Sequence, residues 1–273
     1  CALPILEHLQ VSGSFKARGM FNRMRSQPIP AAGVIIASGG NAGIAVACAA
    51  QSLGVPCEVY LPEVSTPAKR ARLAALGATV VVHGAAYPEA LAACLERQAH
   101  TGALLMHAYD QFEVVAGAGT LAAEMEQEAG LPDRILVSVG GGGLIAGIAA
   151  WCESRTRVEA VEPELAPTLH AARAAGHPVD VSVGGVAADS LGARRIGELA
   201  WAISQSQVAA SHVVSDDAIK RAQQRLWSQM RLAVEPAAAL PLAALVEGVV
   251  RPEAHERVAL IVCGANVDPA SLT

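Results

Sequence analysis

Short runs of Val, Ile and Leu alternate along this chain with longer Ala-rich windows, and polar or glycine-rich turns separate them. Read in order, the apolar runs predict strands over Val34 to Ala37, Glu58 to Leu61, Thr79 to His83, Leu104 to His107, Ile135 to Val139, Val158 to Val161, His212 to Val214 and Val258 to Val262. Each is followed by a turn and a helical window, the mark of βαβ units with right-handed crossovers. The expected fold class is therefore α/β, with mainly parallel twisted sheets and helices on both faces. Two helix starts are marked. Thr66-Pro67 puts a capping hydroxyl before a proline at the first helical position, and Ser215-Asp216-Asp217 puts a cap and two acids at the positive end of a helix running to about Arg231. No internal repeat, linker or low-complexity tract stands out beyond alanine richness, which is good helix propensity.

Composition narrows the class. The 273 residues are 52% apolar with a net charge of -5, enough to bury a large core and without a basic surplus to hold nucleic acid. Glycines, prolines and charges interrupt every apolar stretch before it reaches membrane-spanning length, and the first residues do not resemble a signal peptide. A soluble globular protein is expected. The six cysteines (Cys1, Cys48, Cys57, Cys94, Cys152, Cys263) have no metal-type or disulfide-type spacing, which points to a reducing cytoplasm. They read mostly as core residues, with Cys263 the exception.

Candidate chemistry begins at Lys16. Two glycines, two serines and an aromatic surround it in Ser12-Gly13-Ser14-Phe15-Lys16-Ala17-Arg18-Gly19, after the apolar run Ala2 to Leu9. This reads as a lysine held at a strand end, where burial against Phe15 would favour the neutral amine that attacks an aldehyde to form a Schiff base. Alternatively, Lys16 merely opens the helix from Ala17 to about Ser26.

Three loops follow strands, where open α/β sheets bind ligands. Ser38-Gly39-Gly40-Asn41-Ala42-Gly43 precedes a helix from Ile44 to Leu53 and offers amides and a hydroxyl to a carboxylate or phosphate; the alternative is an ordinary glycine turn with an asparagine cap. Gly140-Gly141-Gly142-Gly143-Leu144, before a helix from Ile145 to Trp151, can wrap a phosphate with N–H groups alone. It lacks the Lys-Ser/Thr end of a P-loop, but Gly141, Gly143 and Ala146, with Glu162 closing the next strand, also satisfy an alanine-ended dinucleotide fingerprint. Cys263-Gly264-Ala265-Asn266-Val267-Asp268 places a thiol at a strand end; no histidine is spaced to activate it, so hydrogen bonding suits it better than nucleophilic attack.

Taken together, Ser14 to Gly19, Ser38 to Gly43, Gly140 to Leu144, Val234-Glu235-Pro236 and Val262-Cys263-Gly264 resemble, in order and over nearly the whole chain, the pyridoxal-phosphate-dependent serine/threonine dehydratases of the tryptophan-synthase-β fold, fold type II. A dinucleotide enzyme has no use for Lys16 or Cys263. The resemblance implies that Lys16 carries the cofactor as a Schiff base and, once displaced by substrate, removes the α-proton. It also implies that Phe15 packs on the pyridine ring, that Asn41 bonds the ring's 3-oxygen, and that Ser38, Gly39, Asn41 and Ala42 hold the substrate carboxylate. Gly140, Gly141, Gly142, Gly143 and Leu144 would take the phosphate, and Cys263 would face the pyridine nitrogen. A thiol there does not hold the ring nitrogen protonated, which suits β-hydroxyl elimination better than transamination.

The implied reaction converts L-serine or L-threonine to pyruvate or 2-oxobutyrate and ammonia, in a cytoplasmic homodimer. The resemblance further implies a structural cation at Glu162, the Ala166 carbonyl and Thr168, potassium rather than magnesium because a hydroxyl replaces a second carboxylate; the alternative is a surface acid beside Pro163. Residues 1–20 and 111–273 would form a large cofactor-binding domain and residues 21–110 a small α/β domain, with the cofactor in the cleft between them.

Departures from the family pattern are visible. Several tens of residues that usually precede the lysine motif, including a Thr-Pro-Leu strand, are missing from this sequence, so it reads as a possible fragment, and control by an appended regulatory domain after Cys263 is not expected. His107-Ala108-Tyr109-Asp110 also differs from the usual histidine-proline start. Serine racemases carry a serine where Gly39 stands, and glycine cannot transfer a proton, so elimination is favoured over racemisation. Cysteine-synthase relatives have a different lysine motif. A non-catalytic amino-acid-binding homologue is disfavoured by the intact Lys16 and loops.

Overall fold

The structure, a computed structural model, describes residues 2–272. Cys1 and Thr273, which close the expected large-domain ranges, lie outside the described residues. The elements run β1 (Ala2–Ile5), α1 (Lys16–Arg25), β2 (Val34–Ala37), α2 (Asn41–Leu53), β3 (Cys57–Leu61), α3 (Pro67–Ala75), β4 (Thr79–Val82), α4 (Tyr87–Thr101), β5 (Leu104–Leu105), α5 (Phe112–Ala129), β6 (Arg134–Ser138), α6 (Gly143–Cys152), β7 (Arg157–Pro163), α7 (Thr168–Ala175), α8 (Glu198–Gln207), β8 (Ala210–Val214), α9 (Asp216–Met230), α10 (Pro236–Val246) and β9 (Val258–Ile261). Short 3-10 turns cover Glu7–Leu9 and Pro269–Leu272. Both expected caps form: Thr66 Oγ1 accepts from Lys69 N at 3.3 Å and Ser215 Oγ from Ala218 N at 3.3 Å.

The chain divides into two compact units, one of Cys1–Leu9, Gly13–Phe15 and Tyr109–Thr273, the other of Gln10–Ser12 and Lys16–Ala108. The division falls between Phe15 and Lys16, not near residue 20, because α1 packs on α2 through Ala17, Met20 and Met24.

In the first unit a five-stranded sheet has the order β1-β9-β6-β7-β8, every neighbouring pair parallel. Its central strands are buried end to end, as parallel strands covered on both faces must be. From β6 the chain steps outward to β7 and β8, then returns to the other side of β6 as β9. That reversal places the loops after β6 and β9 side by side at the carboxyl ends of adjacent strands, the switch point where open sheets bind ligands.

The second unit repeats the device at smaller scale. Its parallel sheet has the order β4-β3-β2-β5, so the reversal falls at β2, and the loop after β2 is Ser38 to Gly43.

Helices α5 and α6 approach closely because Gly119 and Gly147 face each other. A Cβ on Gly119 would lie 2.7 Å from the Gly147 oxygen, and one on Gly147 would lie 2.3 Å from the Val115 oxygen. Backbone-to-backbone packing thus fixes α6, and with it the glycine loop that opens it.

Candidate active site

In the first unit the tetraglycine loop leaves β6 and enters α6 at Gly143. Each glycine is needed for space. A Cβ on Gly141 would sit 2.3 Å from the Tyr109 ring, one on Gly142 would sit 2.5 Å from Ile196 and 2.6 Å from Ala200, one on Gly143 would sit 2.8 Å from the Tyr109 oxygen, and one on Gly140 would press on Leu191 at 3.1 Å. Gly142 also has φ +86°, which side-chain-bearing residues rarely adopt. It is the N-cap of α6 and no side chain caps the helix there, while the first-turn amides, including that of buried Leu144, have no intrahelical acceptor. Such a bare, uncapped helix end with the positive pole of its dipole is built for an anion.

Two carbonyls of this loop are held by the surrounding protein. Thr168 Oγ1 donates to the Gly140 oxygen at 2.5 Å, and Gly197 N donates to the Gly141 oxygen at 3.0 Å. Gly197 is the N-cap of α8, whose first amides, from Glu198 and Leu199, donate to the two Asp110 carboxylate oxygens at 3.1 Å each.

Glu162 is fully buried at 0% exposure, so it is not a surface acid. Its Oε1 accepts from Leu169 N at 2.8 Å and lies 3.3 Å from Thr168 Oγ1, and its Oε2 accepts from His170 N and Ser211 Oγ, both at 2.8 Å. Burial pushes its carboxyl above the usual range against the lowering effect of those bonds. The Ala166 oxygen meanwhile accepts from Thr168 N at 3.2 Å. Glu162 thus caps the start of α7 through the Leu169 and His170 amides, and these bonds leave it unsuited to the ribose contact of a dinucleotide site.

Cys263 follows β9 and is buried. Its carbonyl accepts from Phe15 N at 3.0 Å, Ser14 bridges Gly264, and Ala265 N donates to the Gly13 oxygen at 2.9 Å. Glu235, 5% exposed, is the N-cap of α10; its N donates to the Gly264 oxygen and its Oε1 accepts from Asn266 N, both at 3.0 Å. The segment leading to Lys16 is thereby stitched to the Cys263 loop, while the Phe15 ring packs on the unit's core.

In the second unit Lys16 is the first residue of α1, half-buried, and its Nζ donates to the Ala108 oxygen. It opens a helix, as the alternative reading had it, and does not sit at a strand end; β1 stops at Ile5. Ser38 to Gly43 turns from β2 into α2, which starts at Asn41, three residues earlier than its sequence pattern implies, because Gly40 serves as an N-cap without a side-chain bond. A Cβ on Gly43 would strike the Ser38 oxygen at 1.8 Å, which is why the turn can be so tight. Ala42 is buried, and Ser38, Gly39 and Asn41 are half-buried. Each unit therefore carries one glycine-opened helix at its switch point.

Tyr109, Asp110, Gly197 and Glu235 had no roles assigned from sequence. Val234-Glu235-Pro236 carried a signal as a recurring motif, and Tyr109 and Asp110 stood out only as a departure from the family pattern.

This arrangement has known relatives. The model of the pyridoxal-phosphate dependent enzymes matches residues 5–264. An L-threonine ammonia-lyase of Geobacter sulfurreducens is 39% identical over 98% of this chain and 67% of its own length. The solved threonine deaminase of T.th. superposes with a TM-score of 0.90 at 35% identity, covering 98% of this chain and 88% of that one. Maize serine racemase gives a TM-score of 0.92 at 28% identity, covering 99% and 85%. The chain belongs to the pyridoxal-phosphate dependent enzymes. Within them it is a member of the serine/threonine dehydratases, with the α/β architecture of fold type II. Its residues fit the cofactor. The bare glycine loop has the chemistry to take a phosphate, and Lys16 has the primary amine an aldehyde would need.

Proposed function

We propose that this dehydratase acts on L-serine, L-threonine or both, releasing pyruvate or 2-oxobutyrate with ammonia by α,β-elimination. Bound pyridoxal phosphate supplies an electron sink that acidifies the α-C–H of an amino acid joined to it. Lys16 is assigned to carry the cofactor and then to take the α-proton on its amine. Ser38, Gly39, Asn41 and Ala42 are assigned to the substrate carboxylate, with the uncapped start of α2 favouring the negative charge. Gly140 to Leu144 are assigned to the phosphate, Asn41 also to the ring oxygen, Phe15 to the ring face and Cys263 to the ring nitrogen. Gly39 offers no proton, so Lys16 acts alone and elimination is favoured over racemisation.

The observation that carries this reading is the pair of glycine-opened helices, α2 and α6, each without a side-chain cap and each at its own sheet's switch point. Burial pushes the Cys57 thiol up to about 12 and those of Cys94 and Cys152 to about 11, so these side chains are unreactive core groups. Self-association as a homodimer rests on the family resemblance alone, and the mass in solution tests it.

The test of function is incubation of the cofactor-loaded protein with each amino acid. Equal amounts of 2-oxo acid and ammonia are expected; no 2-oxo acid from either substrate would overturn the reading.

A further inference from the structure

We infer that Asp110 is a positioning residue for the phosphate loop, acting through α8 to aim a backbone amide. In a trans peptide the C=O and the following N–H point in opposite directions. Gly197 N holds the Gly141 oxygen at 3.0 Å, so the Gly142 N–H is turned to the other side of the loop. Thr168 Oγ1 does the same one peptide earlier, holding the Gly140 oxygen at 2.5 Å and turning the Gly141 N–H.

A loop of four glycines has no side chains to choose between these peptide orientations, and glycine has the largest backbone freedom to lose. The choice is made from outside. Gly197 can make its bond only while the first turn of α8 stays in place, and the Asp110 carboxylate holds that turn by accepting from Glu198 N and Leu199 N at 3.1 Å each. Asp110 also lies against Gly197 itself: a Cβ there would come within 2.9 Å of the Asp110 carboxyl carbon. One residue earlier, the Tyr109 ring covers Gly141. Tyr109 and Asp110 thus form a clamp whose two jaws are the ring and the capped helix.

The inference rests on the reading of Gly140 to Leu144 as the phosphate site, and the experiment separates the two. Apoprotein is titrated with pyridoxal phosphate and, separately, with pyridoxal, which lacks the phosphate, and binding is followed by visible absorbance. Wild type is expected to bind pyridoxal phosphate far more tightly than pyridoxal; equal affinities would overturn the phosphate-loop reading itself.

Given that discrimination, Asp110→Ala is expected to weaken pyridoxal phosphate about tenfold while leaving pyridoxal unchanged, the loss corresponding to one or two hydrogen bonds. Asp110→Asn, which keeps a carbonyl acceptor, is expected to recover most of the loss. Thr168→Val tests the same logic at the Gly140 oxygen and should shift the same ratio should Asp110→Ala fail to fold. Unchanged discrimination in these variants, or an equal loss for both ligands, would overturn the inference.

Discussion

The Lys16 side chain donates to the carbonyl oxygen of Ala108, 92 residues further along the chain. The bond ties the start of α1 to the segment that follows β5 and orients the amine. Lys16 is the first residue of its helix, and alanine is the best helix former, so Lys16→Ala should fold with little loss of stability. The expected result is a drop in 2-oxo acid formation of about a thousandfold or more with an unchanged far-ultraviolet dichroism spectrum.

On the proposed reading Gly39 sets the stereochemical outcome. Wild type is expected to give little D-serine from L-serine. A Cβ at this position would meet Leu61 Cδ2 at 2.9 Å, the far end of a flexible but fully buried side chain. Gly39→Ser should therefore cost about 1–3 kcal/mol, relieved in part by adding Leu61→Val. Chiral analysis of the product should show racemisation rising and elimination falling; abundant D-serine from wild type would reveal a second proton-transfer group.

The helical reading of the glycine loop is tested by Gly142→Ala. Positive φ and contact with Ile196 and Ala200 oppose any side chain there. Pyridoxal phosphate affinity and melting temperature should both fall, whereas Gly176→Ala, at φ +78° with nothing near its Cβ, should lower the melting temperature alone.

Acid sensitivity has a defined source in the first unit. Arg134 Nε donates to Glu256 Oε1 at 2.8 Å and Nη1 to Glu159 Oε1 at 2.7 Å, all three side chains being buried. Hydrogen bonds from Arg134 hold the Glu256 carboxyl below the usual range. At Glu159, burial pushes the carboxyl up but is outweighed by His212 and Arg134, leaving it also low. Both carboxyls are depressed, so their stabilisation is present above the unfolded value of about 4.3 and is lost as pH falls through the folded values. Arg134→Met should cost about 3–5 kcal/mol at neutral pH, and the penalty should shrink as pH falls towards the depressed wild-type carboxyl values, because the unpaired buried carboxyls of the variant take up protons first; a melting series across pH will show it.

Much of this fold is legible in the sequence. The strands appear within a residue or two of the apolar runs, because parallel strands buried on both faces are nearly continuous Val, Ile and Leu. β1 was hidden in the longer run Ala2 to Leu9, which includes a proline and is partly exposed as an edge strand. Sheet order was not legible: nothing local in Val258 to Ile261 says that it pairs with β1 and β6. At the site, glycines that looked like loop became N-caps and first helical residues, so α2 and α6 begin earlier than expected. The surface-acid alternative for Glu162 fails because the residue is buried with Leu169, His170 and Ser211 converging on its oxygens, which sequence cannot show. Tyr109 and Asp110 looked like a departure from the family pattern; their packing on Gly141 and Gly197 appears only in three dimensions.

The chain has three lysines, which makes its central claim open to direct chemistry. Lys220 is exposed beside Asp217, at 3.9 Å, and Lys69 on α3 is half-buried, as Lys16 is; what sets Lys16 apart is its place after Phe15 and the bond from its amine to the Ala108 oxygen. Protein incubated with pyridoxal phosphate, reduced with borohydride and digested should carry the reduced cofactor on the peptide containing Lys16. A protein labelled on Lys69 or Lys220 but not on Lys16, or not labelled at all, would contradict the account.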